Sequence, residues 1–230
     1  PTTHTLYPGY RYAGQIGRDE RGNDILPETR RDGEMRFVSL RRDGYLAGER
    51  YTVDLPAGTT PVRLTVTEGE LAIGTLCAFT EEQPAAYVPP TDRNGGGTAV
   101  TIEAEQPSAV SSAVLLPVAD RTSAATSPGE IGVTRLNTIG GTNWSTPGQW
   151  IEWQIPVEKA GWYAVALRVR QNTARGMQSL RRIRIDGRVP CAQLERYGFA
   201  YRRDWQAETL GDEDGPFWFW FDAGVHTLTM

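Results

Sequence analysis

The chain has 230 residues, 39% of them hydrophobic, with 25 glycines and 15 prolines breaking every apolar run. No stretch approaches the roughly eighteen consecutive apolar residues that a bilayer-spanning helix needs, which excludes a transmembrane segment. A formal charge of -4 and a pI near 5.3 remove the electrostatic case for a nucleic-acid partner, which calls for a strongly basic face.

Apolar residues alternate with period two through most of the chain, and no window of eleven shows a sustained helical stripe, so the expected class is all-β. In chain order, strands are expected over residues 36–40, 51–55, 62–67, 71–79, 98–104, 149–155, 161–170, 181–185, 217–221 and 226–230. Between the fourth and fifth of these the composition shifts, with Pro84, Pro89 and Pro90 followed by Asn94 and Gly95 to Gly97. That Pro/Gly-rich segment, 83–99, reads as a linker between a first unit, 1–82, and a second, 100–230. The first unit offers four or so strands where a closed β-sandwich uses about seven, so it reads as the C-terminal half of a sandwich. Its uncovered faces and edges must pack on the second unit, recruit a partner chain, or be covered by a segment missing from this sequence. The alternating run at 226–230 reads as an unfinished strand. The chain is therefore expected to be a piece of something longer, and the second sandwich to lack its last strand.

An internal repeat crosses the linker. Tyr51-Thr-Val-Asp-Leu-Pro-Ala-Gly58 leading to Arg63-Leu-Thr-Val66 matches Phe217-Trp-Phe-Trp-Phe-Asp-Ala-Gly224 leading to Thr227-Leu-Thr-Met230. Each copy follows a leucine and an acidic, glycine-containing turn: Leu40 with Asp43-Gly44, and Leu210 with Asp214-Gly215. Duplication of one sandwich domain, the first copy represented by its C-terminal half, accounts for this; a shared β-hairpin grammar is the alternative.

Cys77 and Cys191 fall in different units and are expected to stay unbridged. His4 and His226 are the only histidines, so neither a metal-site spacing nor a Cys/His or Ser/His/Asp arrangement is formed.

The second unit carries Thr101-Ile-Glu-Ala-Glu105, then Pro147-Gly-Gln-Trp-Ile-Glu-Trp153, then Val157-Glu-Lys-Ala-Gly-Trp-Tyr163. In this order they resemble the family 6 and 35 carbohydrate-binding modules, which are β-sandwich, galactose-binding-like domains of jelly-roll type. A wider resemblance rests on Asn137-Thr-Ile-Gly-Gly141, Trp144, Gln171-Asn172, Arg175-Gly176, Ile185-Asp-Gly187 and Pro190, with Arg21-Gly-Asn-Asp24 and Pro27 in the first unit. It is to the paired modules of large bacterial extracellular solute-binding proteins of carbohydrate ABC transporters. The resemblance implies a secreted, lipid-anchored surface protein whose partner is an oligo- or polysaccharide or the neighbouring domain of the same protein. It also implies a structural calcium site drawing on Glu103 and Glu105, acids of the first strand of such modules, oxygen ligands being what that ion prefers. The family site also uses a final strand this chain is expected to lack.

Alternation places Trp150, Trp162, Arg168, Arg170, Trp218 and Trp220 on the outer face of their strands. Aromatic rings cover the apolar side of a pyranose and guanidinium groups clamp its hydroxyls or a carboxylate. Tryptophan and arginine are equally the residues of protein interfaces, so a sugar face and the seat of a neighbouring domain both fit. A second candidate is the end loop at 137–149 with Trp144, joined by Asn172 and Arg175 from the loop after the Trp162 strand. Trp144 has the alternative role of plugging the end of the core. No pair of carboxylates stands out as facing across a cleft. The expected function is non-catalytic.

Overall fold

The structure is a computed structural model and describes residues 3–40, 51–80, 83–93, 97, 99–124 and 126–230. The turn expected at Asp43-Gly44, together with Asn94, Gly95, Gly96 and Thr98 of the linker, lies outside them. Its strands in chain order are β1 (Tyr10–Tyr12), β2 (Gly17–Arg18), β3 (Asp24–Ile25), β4 (Thr29–Arg31), β5 (Ala109–Val110), β6 (Pro117–Val118), β7 (Thr138–Ile139), β8 (Ile151–Val157) and β9 (Gly161–Ala164). There follow β10 (Ala166–Val169), β11 (Gln178–Arg181), β12 (Arg184–Ile185), β13 (Tyr197–Ala200), β14 (Gln206–Thr209), β15 (Gly211–Asp212), β16 (Gly215–Pro216), β17 (Trp218–Phe221) and β18 (Gly224–Thr229). Helix is confined, among the described residues, to two short 3-10 turns at Gly141–Asn143 and Ala192–Arg196. Among the described residues no helix is long and apolar enough to cross a membrane. The all-β class read from periodicity is what the chain adopts.

A six-stranded antiparallel sheet, ordered β12-β18-β8-β5-β1-β4, forms the largest element. β8 and β18 pair along their lengths, with Leu228 opposite Trp153 and Thr229 opposite Glu152. Period two then sends Ile151, Trp153 and Val157 inward beside Leu228, while Gln154 remains exposed. The Trp153 indole N–H finds the Ala104 carbonyl at 2.8 Å, which lets so large a ring be buried without an orphaned donor. β9 and β17 form a separate ribbon that supplies Phe219 and Phe221 to the same core, joined by Phe217, Phe199, Leu194, Leu210 and Ile183.

The six-stranded sheet spans the expected boundary at 83–99: β1 pairs with β5 at Tyr10 and Val110, and with β4 on its other side. A buried arginine reinforces that junction. Arg135 bonds Asp24 at 2.8 Å and the Gly22 carbonyl at 2.6 Å, and also pairs with Glu130, while Asp24 accepts the Leu136 N–H at 2.9 Å.

Several expected strands do not form. Residues 36–40, 51–55, 62–67, 71–79 and 99–104 carry no strand, although their apolar residues alternate as read. A strand exists only in a ladder, and among the described residues none of these segments enters one; the Tyr51 N–H donates to the Leu40 carbonyl at 2.8 Å without starting a ladder. The two copies of the repeat show what a partner contributes. Phe219 and Phe221, paired against β9, are 8% and 2% exposed, while their counterparts Val53 and Leu55 are 55% and 48% exposed. The expected strand over 161–170 is divided at Val165 into β9 and β10, which pair with different partners, β17 and β14.

Candidate functional site

The register of the β9–β17 ribbon builds an aromatic groove. With the phenylalanines of β17 turned into the core, Trp218 and Trp220 take the opposite face, and Trp220 lies directly across from Trp162. Their rings meet edge to face, centroids 5.7 Å apart at 76°. The Trp220 indole N–H donates to Asp222 Oδ1 at 3.0 Å, which fixes the ring while leaving the residue 50% exposed. Trp162, Trp218 and Trp220 line a groove of about 380 Å³ with Ile185, Arg188 and Tyr87. The Trp218 indole nitrogen is buried and has no partner among the described residues.

The wall containing Tyr87 comes from the segment expected to be a linker. The Tyr87 ring lies 4.5 Å from Phe217, its hydroxyl accepts the Trp218 backbone N–H at 2.8 Å, and its own N–H reaches Gln193 Oε1 at 3.0 Å. The Ala85 carbonyl accepts the Ala192 N–H at 2.8 Å, and the Arg93 guanidinium stands 5.4 Å from the Trp218 ring. Residues 85–93 are therefore a strap across this face. Tyrosine at 87 anchors it because one side chain supplies both an apolar ring for the core edge and an acceptor for the exposed edge of β17.

The other residues expected on this face go elsewhere. Trp150 lies under the Arg36 guanidinium, 4.8 Å from the ring centroid, and Arg36 in turn bonds Asp32 at 3.0 Å and Glu152 at 3.2 Å. Arg170 pairs with Asp120, bonds the Thr122 hydroxyl and stacks 4.8 Å over Trp205. Arg168 is exposed on β10, which ends one residue before Arg170. The break at Val165 explains this, because alternation carries a face along one strand but not across a change of pairing partner. The expected convergence of Arg168 and Arg170 with the tryptophans is corrected accordingly.

At the end loop, Gly140 (φ 101°) turns the chain so that Trp144 folds back over it; a Cβ at 140 would meet the indole at 3.1 Å. Trp144 is half-buried and packs on the core, as the plugging reading expects. Its indole N–H points at the Gln149 carbonyl, 3.4 Å away. The residue brought to it is Arg181, whose guanidinium carbon is 4.2 Å from the ring centroid and whose Nη2 donates to the Trp144 carbonyl at 3.1 Å. Asn172 and Arg175 stand exposed in a turn held by Gln171, whose Oε1 accepts the Thr173 and Ala174 N–H groups at 3.0 Å.

Glu103 and Glu105 do not share a strand face. They flank a turn closed by the Gln106 N–H on the Glu103 carbonyl at 3.1 Å, which leaves Glu103 exposed and Glu105 buried. Burial pushes the Glu105 carboxyl up to about 7, with Glu103 and Asp24 adding repulsion, and its Oε1 has no partner. Among the described residues no group of three or more His, Cys, Asp or Glu is placed to hold a metal ion. Cys77 and Cys191 are free thiols, the first exposed and the second buried.

The sequence reading missed Tyr87, Arg188 and Arg181. Tyr87 was hidden by its proline-rich surroundings; Arg181 opens an expected strand, and only the fold reveals that its side chain turns back onto Trp144. No family model, curated protein or solved structure matches the chain.

Proposed function

We propose that this chain is a non-catalytic, carbohydrate-binding accessory region of a bacterial extracellular solute-binding protein for sugar uptake, and that the Trp162–Trp218–Trp220 groove receives the glycan. The observation that carries this reading is the half-exposed Trp220 braced against Trp162 beside Trp218. These rings, with the guanidinium of Arg188, suit a pyranose that stacks one face and hydrogen-bonds its rim. The transporter context, surface location and lipid anchor follow from the resemblance of the motifs, as does calcium at Glu103 and Glu105. In the same reading, residues 1–82 are the incomplete first sandwich and residues 100–230 the second.

A scaffold role without glycan binding is the second reading, favoured by a specific observation. Trp150 and Trp218 are seats for earlier parts of the same chain, the first under Arg36 and the second against Tyr87 and Arg93. A glycan array followed by calorimetry separates the two. The glycan reading expects binding that Trp220→Ala weakens by roughly 1–3 kcal/mol, the usual cost of removing a stacking ring, with Trp150→Ala leaving affinity unchanged. No binding to any glycan leaves the scaffold.

A further inference from the structure

Both ring nitrogens of His226 face acceptors. Nδ1 lies 2.7 Å from Asp186 Oδ2, and Nε2 lies 2.9 Å from the Asp222 carbonyl oxygen. Asp186 titrates below 3.8 and is ionised at neutral pH, and a carbonyl never donates. Both contacts are therefore hydrogen bonds only when the imidazole carries both protons. The carboxylate is itself fixed, because Asp186 takes a φ of 50° in the turn after β12 and its Oδ1 accepts the Thr227 N–H at 2.9 Å. On the other side, Asp222 lies in the short connection between β17 and β18, and its Oδ1 accepts the Trp220 indole N–H at 3.0 Å. His226 thus ties the turn after β12 to the residue that braces the half-exposed wall of the aromatic groove. Phe221, whose ring meets the imidazole edge to face at 5.0 Å, and Ile155, opposite it on β8, are uncharged. Arg184 of β12 and Glu152 of β8 stand across from Thr229, further along β18. Asp186 and Asp222 are the acidic groups that act on the ring.

We infer that His226 is a pH-sensitive clasp on the aromatic groove: as imidazolium it bridges Asp186 and the Asp222 carbonyl and holds Trp220 in place, and on losing a proton it releases Asp222 and frees that ring to move. The proton lost is the one on Nε2, because a hydrogen bond to a carboxylate outlasts one to a neutral carbonyl. The bare Nε2 then faces the Asp222 carbonyl oxygen across 2.9 Å, and two acceptors at that distance repel. The hydrogen bond to Asp186 raises the imidazole above its ordinary 6.5, so the clasp is closed in mild acid and opens as pH rises through the raised value. The clasp is a property of the fold alone. That its opening weakens ligand binding rests on the glycan reading of the groove.

The test follows the His226 ring nitrogens and the Trp220 indole N–H of the full chain by NMR from about pH 5 to about pH 9, the range a histidine switch spans. Trp220→Phe assigns the indole resonance, and His226→Gln separates His226 from His4. The expected result is that the Trp220 resonance moves with the same midpoint as His226, above 6.5, in wild type. Asp186→Asn should lower that midpoint by roughly 1 pH unit or more, as loss of a neighbouring opposite charge does. Glu105 titrates up to about 7, so His226→Gln is the control: there the Trp220 resonance should stay still. A wild-type Trp220 resonance that ignores the His226 titration overturns the inference whether or not any variant folds. So does a titration that persists in folded His226→Gln. Calorimetry with the ligand found on a glycan array then reads the consequence. Affinity should fall several-fold from the acid to the alkaline side of the midpoint in wild type and stay level in His226→Gln. A level affinity in wild type overturns the inference while the glycan reading stands. If no glycan binds, the glycan reading falls and the Trp220 titration still decides the clasp.

Discussion

Glu105 sits where a charge is costly, and this sets the sign of its pH dependence. Its carboxyl titrates near 7 in the folded chain against 4.5 ordinarily, so between those values the folded state holds the proton that the unfolded state has lost. Stability is then greatest below 4.5 and falls as pH rises toward 7. His226 acts in the same direction. Its bond to Asp186 Oδ2, 2.7 Å from Nδ1, raises it above 6.5, so its contribution is present at low pH and is lost as pH rises through the folded value. Asp19, Asp32, Asp120 and Asp186 are held below 3.8 by hydrogen bonds, and their contribution is lost as pH falls through their folded values. Chemical denaturation should therefore show maximal stability on the acid side of neutrality. Glu105→Gln should flatten the slope between about pH 4.5 and 7 and stabilise the chain at pH 8 by an amount on the order of 2 kcal/mol, as the size of the shift implies. A variant no more stable than wild type at pH 8 contradicts this account.

Among the elements, the consecutive strands β17 and β18, which join different sheets, and their sequence counterpart at 51–66 differ in what surrounds them more than in residue pattern. Phe219→Ala should cost about 3–5 kcal/mol in urea denaturation, because the ring fills a core between β9 and its neighbours. Val53→Ala at the equivalent repeat position should change stability by no more than about 0.5 kcal/mol, as for an exposed side chain. The strand–turn–strand order was legible at 217–230, where alternating aromatics and Asp222-Ala-Gly224 marked two strands, although these pair with β9 and β8 and not with each other. The identical reasoning failed at 51–67, since period two reports which side chains would share a face and says nothing about whether a neighbouring strand exists. The tryptophan groove was half legible for a related reason. Trp162, Trp218 and Trp220 share two paired strands, whereas Trp150, Arg168 and Arg170 depend on pairings that one strand's pattern cannot disclose. Tyr87 and Arg181 act across 131 and 37 residues of sequence, a reach that local pattern does not carry.

For the whole molecule, the N-terminal strands β1 and β4 are structural members of the sheet built by the second unit. Tyr12 donates its hydroxyl proton to the Leu115 carbonyl at 2.7 Å and β1 covers the edge of β5. Removing residues 1–40 should lower the melting temperature of the remainder and expose Trp150 to fluorescence quenchers, since Arg36 leaves with them. An unchanged melting curve would place the stability entirely in residues 100–230. The position of β18 in the sheet order bears on the timing of assembly. It is inserted between β12 and β8, although it is the last of the eighteen strands to be synthesised. A nascent chain can join β5 to β8 early, but the two halves of the sheet stay apart until residue 229 has left the ribosome. Until then Trp153 and Ile155 lack their cross-strand cover, and apolar surface exposed in this way is where misassembly begins.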